Sequence, residues 1–568
     1  MFSLRYPPQL QAELLPKGAL PEFIFTLPEL QHLPEEINIT EHFLDPNLKG
    51  DQANRVAFYS GDREITYREL HGMVNRLGNG LRGLGIGKGD RVILRIPNCV
   101  EFVVCALALH RLGAVVIPTM ILLRERIITH VANTSEAKAV ISKHDLLDEV
   151  EMGREKYQTV EHLIAIGGDR KELKGRGYSS YEELIESSSD RLESEKMRLD
   201  DLATMFFTSG TTGMPKGCMH LHLTLLASIA LVPYQFEKVG GILATDVLGG
   251  SPPLAFTFGY DHLMLLPLHH GIPAVLIEGR VTAERLYESI EKYRVSLFNA
   301  AAPVYNQLLN VPDGEKRYNV SSLRRAESGG APLLPTTVEQ WRTRFGVELT
   351  NAMGSSETFI PFLGTWKPGL NPPATGIPFP GWEVRIMDDA GEDCPPGTIG
   401  RLAIRGPGGI MYWRNPEKQK EAVVDGWSLT GDLVYQAEDG CIWHVSRSDD
   451  IIKSRGYRVP PGEVEDAVME HAAVLECAVI GAPDPIQGQR VKAYVVLKEG
   501  RQAAADLAEE IRQFVRQKVA PYQTPSEIEF VTALPKTETG KVRRVELRQM
   551  EEKRYAERQA AGSAEPKP

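Results

Sequence analysis

Cysteine is scarce in this chain of 568 residues: six are present (Cys99, Cys105, Cys218, Cys394, Cys441, Cys477), none in a CxxC pair or at zinc-ligand spacing. A disulfide scaffold and a structural zinc site are thereby excluded, and reduced, mostly buried thiols are expected. Basic excess is lacking as well. Lys plus Arg is 64 against 75 for Asp plus Glu, a net charge of -11, so nothing is available to neutralise a phosphate backbone and no nucleic-acid partner is expected. The start, Met1 to Pro8, has neither the basic residues nor the apolar core of a signal peptide, which points to a cytoplasmic protein. Long hydrophobic runs are missing too. The one uncharged stretch of spanning length, Gly217 to Phe236, contains His220, His222, Pro233 and Gln235, so it reads as a buried helix and no membrane partner is expected. No internal repeat is visible.

What is present is ordinary globular material: 42% hydrophobic, 24% charged and 7% aromatic residues, in a length that suggests about four domain-sized units. Residues 1 to 50, rich in Pro and Leu, suggest an extended arm on the body. From about residue 55, short apolar strands alternate with amphipathic helices: Arg91 to Ile96, a helix from Val100 to Leu112, then Ala114 to Pro118, Ala137 to Ser142, His162 to Ile166 and Leu202 to Phe207. The fold class is therefore α/β, with a large N-terminal region of layered βα subdomains. After Gly376 the texture turns to strands and turns, which suggests a barrel-like β subdomain. A small α+β C-terminal domain follows: a helix Pro461 to His471, strands Glu476 to Ile480 and Val491 to Leu497, a helix Leu507 to Lys518 and a strand Glu527 to Val531. The boundary is placed at Asp449, giving domains 1–448 and 449–568, with a tail expected to fray from about Glu551.

Chemistry is concentrated in a few strings. Thr208-Ser209-Gly210-Thr211-Thr212-Gly213-Met214-Pro215-Lys216-Gly217 follows a strand directly. Its glycines allow backbone N–H groups to converge on one concavity, and its hydroxyls and ammonium line the rim, a nest for oligophosphate. It is not a Walker A loop, because Gly217 stands after the lysine where a metal-binding hydroxyl is needed. Met353-Gly354-Ser355-Ser356-Glu357 also follows a strand, and there a carboxylate beside hydroxyls suits Mg²⁺ and a phosphate, or simply a helix N-cap. Trp427-Ser428-Leu429-Thr430-Gly431-Asp432 puts an acid on a turn, able to accept from a ribose diol. Arg447 to Arg458 is a charged run around Ile451-Ile452, and Pro535-Lys536-Thr537-Glu538-Thr539-Gly540-Lys541 is a polar loop with lysines near both ends.

In this order and spacing the five strings resemble the signature of the adenylate-forming acyl-CoA synthetase superfamily, which also holds luciferases and nonribosomal adenylation domains. Ser328-Gly329-Gly330-Ala331-Pro332, Gly400 to Gly406 and Asp425-Gly426-Trp427 match the same pattern, so the resemblance covers roughly residues 20 to 550. Leu27 to Gln31, Val74 to Asn79, Pro118 to Arg124, Lys216 to His220 and Ala255 to Gly259 look like the benzoate and 2-aminobenzoate CoA ligases.

The resemblance implies an ATP- and Mg²⁺-dependent acid–CoA ligase that first adenylates a carboxylate and then transfers the acyl group to the thiol of CoA. By family match, the loop from Thr208 to Lys216 cradles the β- and γ-phosphates, and Glu357 holds Mg²⁺. Ser356, where the family more often has Thr, meets the α-phosphate. Gly329, Gly330, Ala331, Pro332, Asn351, Ala352, Met353, Gly354 and Ser355 complete the nucleotide site, with Asp432 on the ribose and Arg447 assisting. Lys541 matches the catalytic lysine, alongside Glu357 and Thr208. Asp449 matches the hinge of a mobile C-terminal domain, and Arg455, Gly456, Tyr457 and Arg458 match the CoA-binding face. The acid pocket falls on Phe256, Phe258, Gly259, Ala301, Ala302, Gly330, Asn351 and Ala352, two Phe walls over a small-residue floor that suit a flat ring. Four positions depart from the pattern: Met353 is often aromatic, Arg455 often small, Val304 commonly Thr, and Tyr260-Asp261-His262 differs from the aryl-CoA ligases. A homodimer is common among such ligases.

The expected reaction is therefore CoA ligation of benzoate or 2-aminobenzoate-like acids. Its rivals are a short branched or hydroxylated aliphatic acid in the same pocket, transfer of the acyl group to a carrier protein, and a nucleotide-binding regulator without catalysis.

Overall fold

The structure is a computed structural model and describes residues 18–208, 214–331, 333–370, 372, 374–454, 457–485, 488–536 and 542–562. Two compact units divide it: one holds the residues up to Arg385 with Ala403–Thr430, the other Ile386–Leu402 with the residues from Gly431 onward. The chain thus re-enters the second unit at Gly431, ahead of Asp449. Antiparallel pairing of 432–436 with 442–447 carries the intervening residues, and the charged run starts only as that hairpin ends.

In the first unit, a seven-stranded sheet runs Lys216–Leu221, Leu202–Thr208, Val115–Pro118, Arg91–Arg95, Ala139–Lys143, His162–Ile166, Ser179–Ser180. All its pairs are parallel except Leu202–Thr208 with Lys216–Leu221. The helix Val100–Arg111 is apolar on nearly every face because it is buried throughout. The run from Gly217 divides between the strand Lys216–Leu221 and helices His222–Ala230 and Val232–Gln235, so the single buried helix expected there is corrected. Six residues alternate across an antiparallel pair before the helix starts.

A nine-stranded sheet has Leu349–Met353, Arg325–Gly329, Leu297–Ala300 and Leu248–Gly250 side by side and parallel at its centre. One face carries Phe298, Ala326 and Leu349, which pack with Tyr305 and Trp341 in an apolar core. Trp341 stacks on Phe345 with centroids 3.9 Å apart. Burying side chains of this size contributes about 1.5–3 kcal/mol each. The other face carries Arg325 and Glu327, a polar lining unusual for a central strand, with Asn299 beside Glu327. No helix among the described residues is long and apolar enough to cross a membrane.

The second unit packs helices Pro461–Met469 and Ala505–Arg516 on strands Ile452–Ser454, Val474–Asp484, Gly488–Leu497 and Glu527–Phe530 through a core of Val464, Val468, Val479, Val491, Ile511 and Val515. The fraying expected from Glu551 is corrected. Helix Arg544–Gly562 continues through that position, and the Glu551 carboxylate is fully buried, accepting from Lys492 Nζ and Tyr494 Oη at 2.9 Å each. Charge density marks an exposed tail only where the charges lack buried partners.

Candidate active site

In an open α/β sheet, loops that leave the carboxyl ends of adjacent parallel strands converge at one edge. Ala301, then Gly329-Gly330-Ala331, and then Met353-Gly354-Ser355-Ser356-Glu357 leave three such strands of the nine-stranded sheet. In the seven-stranded sheet, Thr208 and Lys216 are opposed as the last antiparallel pair, so they bracket the Gly/Thr loop. His130 Nε2 is 2.8 Å from the Pro215 carbonyl and anchors the loop's second arm.

The two sheets meet chemically at Glu357. Thr208 Oγ1 donates to Glu357 Oε1 at 3.2 Å, and Tyr412 Oη reaches the same oxygen at 3.5 Å. Tyr412 arrives because 411–413 run along the strand Lys216–Leu221, with Met219 N–H donating to Met411 O and Trp413 N–H to Gly217 O, both at 2.8 Å. His220 Nε2 lies 2.9 Å from the Ser356 carbonyl. Burial pushes the His220 imidazole down to about 3, so it stays neutral and donates one N–H there. Phe359 is held at φ 65°, a cost for a non-glycine residue, by contacts with the rings of His220, Phe206 and Tyr260. Burial and the Glu357 charge push the Cys218 thiol well up, which leaves it an inert neighbour of Thr208.

The small residues expected to form the acid slot gather around Gly329. A β-carbon there would meet the Phe258 ring at 3.4 Å and the Ala352 carbonyl at 3.5 Å, so the ring lies directly against bare backbone. Phe256, Phe258 and Ala301 are half-buried, Ala302 and Ala352 are buried, and Gly330 is exposed at φ +77°. Gly259 differs from expectation. Its α-carbon packs on the Pro253 carbonyl, 2.1 Å from where a β-carbon would sit, so it is a packing glycine. Asn351 also points away from the slot. Strand alternation puts it on the face opposite Gly329 and Ala352, with its amide donating to Ala374 O at 3.3 Å.

In the second unit, Asp432 is paired across the hairpin with Arg447, whose Nη1 lies 3.4 Å from Asp432 Oδ1. His444 Nε2 approaches the same oxygen at 3.4 Å. Gly431, at φ +80°, passes under the Arg447 guanidinium, 2.7 Å from where a β-carbon would stand, so any side chain would displace the arginine. Asp449 faces Arg447 Nε at 3.8 Å. Tyr457 is exposed and stacks on Tyr522 with centroids 4.2 Å apart, and Arg458 pairs with Lys453 in the adjoining strand. Ser209, Gly210, Thr211, Thr212, Gly213, Pro332, Arg455, Gly456 and Lys541 lie outside the described residues.

Tyr412, His130 and His444 are site neighbours that no motif marks. Tyr412 follows Met411 in an otherwise plain string, and only the strand register carries it to Glu357.

Comparison with known proteins agrees with this geometry. The chain matches the AMP-binding enzyme model over residues 47–413 and the AMP-binding enzyme C-terminal domain over 463–541. It is 32% identical over 519 residues to the benzoate–CoA ligase of Thauera aromatica, covering 91% of this chain and 96% of that one. It is also 32% identical over 528 residues to the acetyl-coenzyme A synthetase of Bacillus subtilis (strain 168), covering 91% of each. Among solved structures, the anthranilate CoA ligase AuaEII in complex with anthranoyl-AMP superposes with a TM-score of 0.85 at 32% identity, over 93% of this chain and 99% of that one. With both domain models matched and these relatives aligned along nearly the whole chain, the chain belongs to the AMP-binding enzyme family, the adenylate-forming enzymes, and is an acid–CoA ligase of the AMP-forming type.

Proposed function

We propose that the acid is a compact aromatic carboxylate, benzoate or a ring-substituted relative such as 2-aminobenzoate, ligated to CoA with Mg²⁺ and ATP in two half-reactions. The observation that carries this reading is the Phe258 ring packed on Gly329, whose register neighbour is Ala352, with Ala301 leaving the strand on the other side. A flat slot of this kind accepts a ring and gives little purchase to a long flexible chain. The likeness to an anthranilate CoA ligase and a benzoate–CoA ligase supports it.

In the first half-reaction, two anions must approach, and the site's task is to stabilise charge on oxygen. The backbone N–H groups from Thr208 to Gly213, with Lys216, hold the β- and γ-phosphates. The Ser356 hydroxyl meets the α-phosphate, and Asp432 accepts from the ribose hydroxyls with Arg447 beside it. Gly329, Gly330, Ala331, Pro332, Met353, Gly354 and Ser355 border the base and sugar. Glu357, an oxygen ligand flanked by the hydroxyls of Thr208 and Tyr412, fits a hard divalent cation. Mg²⁺ held there neutralises phosphate charge when bound. Lys541 bridges carboxylate and nucleotide. In the second half-reaction, the face formed by Arg455, Gly456, Tyr457 and Arg458 guides the pantetheine arm, with Asp449 as the hinge between the two states.

The test is pyrophosphate release from ATP and Mg²⁺, with and without CoA, across benzoate, 2-aminobenzoate, 4-hydroxycinnamate, 2-hydroxyisobutyrate, acetate and octanoate. CoA-dependent turnover confined to the small aromatic acids is expected. Turnover only with an aliphatic acid would overturn the substrate while keeping the reaction class, and turnover that ignores CoA would favour a carrier-protein acceptor.

A further inference from the structure

Beneath the slot, the sheet becomes polar. Register pairs Asn299 with Glu327 and places Thr350 next in the row, and two residues further along the same strands come Ala301, Gly329 and Ala352. Residues i and i+2 of a strand share a face, so the polar row lies roughly 6–7 Å below the small-residue row on the same side of the sheet. The covering segment repeats the arrangement. Phe258 lies on Gly329, and His262, whose ring centroid is 4.8 Å from that of Phe258, lies on Glu327 with Nε2 3.1 Å from Oε1.

Every ionic group in this layer has a partner. Glu327 is paired with both His262 and Arg325, and His262 Nδ1 faces Asp261 Oδ2 at 3.3 Å. Ser228 Oγ donates to Asp261 Oδ1 at 2.7 Å, and Thr350 Oγ1 donates to Ala326 O at 3.1 Å. Burial raises the Glu327 carboxyl, yet the Arg325 charge and the His262 hydrogen bond hold it down to about 2, so Glu327 stays ionised. Asp261 Oδ2, His262 Nδ1 and Arg325 Nη1 make no hydrogen bond among the described residues but belong to ion-paired groups, whereas Asn299 has neither kind of partner there. Its side chain is completely buried, and neither its amide nitrogen nor its carbonyl oxygen has a hydrogen-bond partner among the described residues. On its other flank the register neighbour is Gly250, which supplies no side chain. A primary amide offers two donors and two acceptor sites, and leaving them unmade in a protein interior is costly.

Resting on the reading that an acid occupies the Phe258–Gly329 slot, we propose that Asn299 is the specificity-determining residue of its floor. It hydrogen-bonds a hydroxyl or amino substituent at the end of the acid remote from the carboxylate. An acid whose carboxylate faces the loops at the strand ends points its far end down the strands. In a benzoate, ring positions 3 and 4 then approach the Asn299 amide, whereas position 2 stays level with Ala301 and Ala352. Within that class of compact aromatic acids, the preferred one is thus a 3- or 4-hydroxy- or aminobenzoate, with benzoate and the 2-substituted isomer as poorer substrates of the same slot. A pocket with a buried amide discriminates against the analogue lacking the substituent because the amide is then left unpaired.

The experiment measures kcat/KM of the full chain with ATP, Mg²⁺ and CoA for benzoate and for its 2-, 3- and 4-hydroxy and amino derivatives. An aliphatic pair, 2-methylpropanoate and 3-hydroxy-2-methylpropanoate, is included. The wild type is expected to favour a 3- or 4-substituted acid over benzoate by about tenfold or more. In Asn299→Leu that ratio should fall to near one, chiefly through KM for the substituted acid. Preference for benzoate or for a 2-substituted isomer, or a ratio unchanged in Asn299→Leu, overturns the proposal. Should Asn299→Leu fail to fold, Asn299→Ala is read by the same ratio, and the wild-type ratio stands as a test by itself. If only the aliphatic acids turn over, the aromatic reading fails, and Asn299 is judged on the ratio of hydroxylated to plain acid.

Discussion

His220 and His222 stand two residues apart, both fully buried, and burial pushes both imidazoles down to about 3. They differ in use. His220 donates to the Ser356 carbonyl and so fixes the turn that carries Glu357, whereas neither ring nitrogen of His222 has a hydrogen-bond partner among the described residues. The pH consequence follows from linkage. The unfolded chain takes up a proton on His222 below its ordinary value of about 6.5, while the folded chain cannot do so until about 3. Stability therefore falls with pH across that window, by about 2 kcal/mol at pH 5. His222→Leu should remove this liability, because it replaces an unsatisfied polar ring by an apolar side chain of similar volume. The measurement is the apparent melting temperature of both proteins at pH 7 and pH 5. The wild type should lose several degrees more than the variant over that interval, and equal losses would show that His222 does not carry the acid sensitivity.

At the scale of elements, the last helix shows how a highly charged segment is fastened. Glu551 accepts from Lys492, Tyr494 and Arg490, and Lys492, only 2% exposed, is also paired with Glu527 at 2.6 Å and Glu529 at 2.7 Å. Removing the Glu551 carboxylate takes a buried acceptor from Lys492, Tyr494 and Arg490 while Glu527 and Glu529 still balance the ammonium, a loss of about 1–3 kcal/mol. Glu551→Ala and a chain ending at Met550 should both shift the urea unfolding transition of the second unit downward, whereas a chain ending at Gly562 should unfold like the full protein. A transition unmoved by Glu551→Ala would mean that the helix is held by its apolar contacts at Leu547 alone. The same helix marks what a sequence cannot display. Strands such as His162–Ile166 and the helix Val100–Arg111 are legible because period and apolar run are local properties. Thr208 and Lys216 are legible as the two ends of one loop because the Gly/Thr string between them is contiguous. The Thr208–Glu357 contact joins residues 149 positions apart, and Tyr412 reaches Glu357 only through a strand register. No local pattern encodes such pairings. Gly259 packs on the Pro253 carbonyl and Asn351 turns to Ala374 for a related reason: a motif fixes the position of a residue, whereas the pleat and its neighbours decide which way it faces.

Across the whole molecule, two half-reactions make opposed demands. Adenylation brings a carboxylate against a triphosphate, so it needs an additional cation at the meeting point of two anions. Thioester formation brings a thiol to a neutral acyl carbon whose leaving group is already AMP, and there the same cation gains little. Thr208, Lys216 and Glu357 belong to the first unit, and Asp432 and Arg447 to the second. Lys541, in the proposed mechanism, serves the first step only, and the Gly456 face serves the second. Lys541→Ala should therefore depress acid-dependent exchange of pyrophosphate into ATP by at least about 100-fold, the scale of losing one charge-stabilising group in a transition state. Thioester formation from a supplied acyl-adenylate and CoA should continue within a few-fold of wild type. The two rates are measured separately, by isotope exchange and by chromatography of the thioester. If the substitution abolished both, one lysine would be serving both steps or holding the site together, and the division of labour between Lys541 and Gly456 would have to be abandoned. If it spared both, the cation at the meeting point of the anions would have to come from another residue, with Lys216 as the first alternative to substitute.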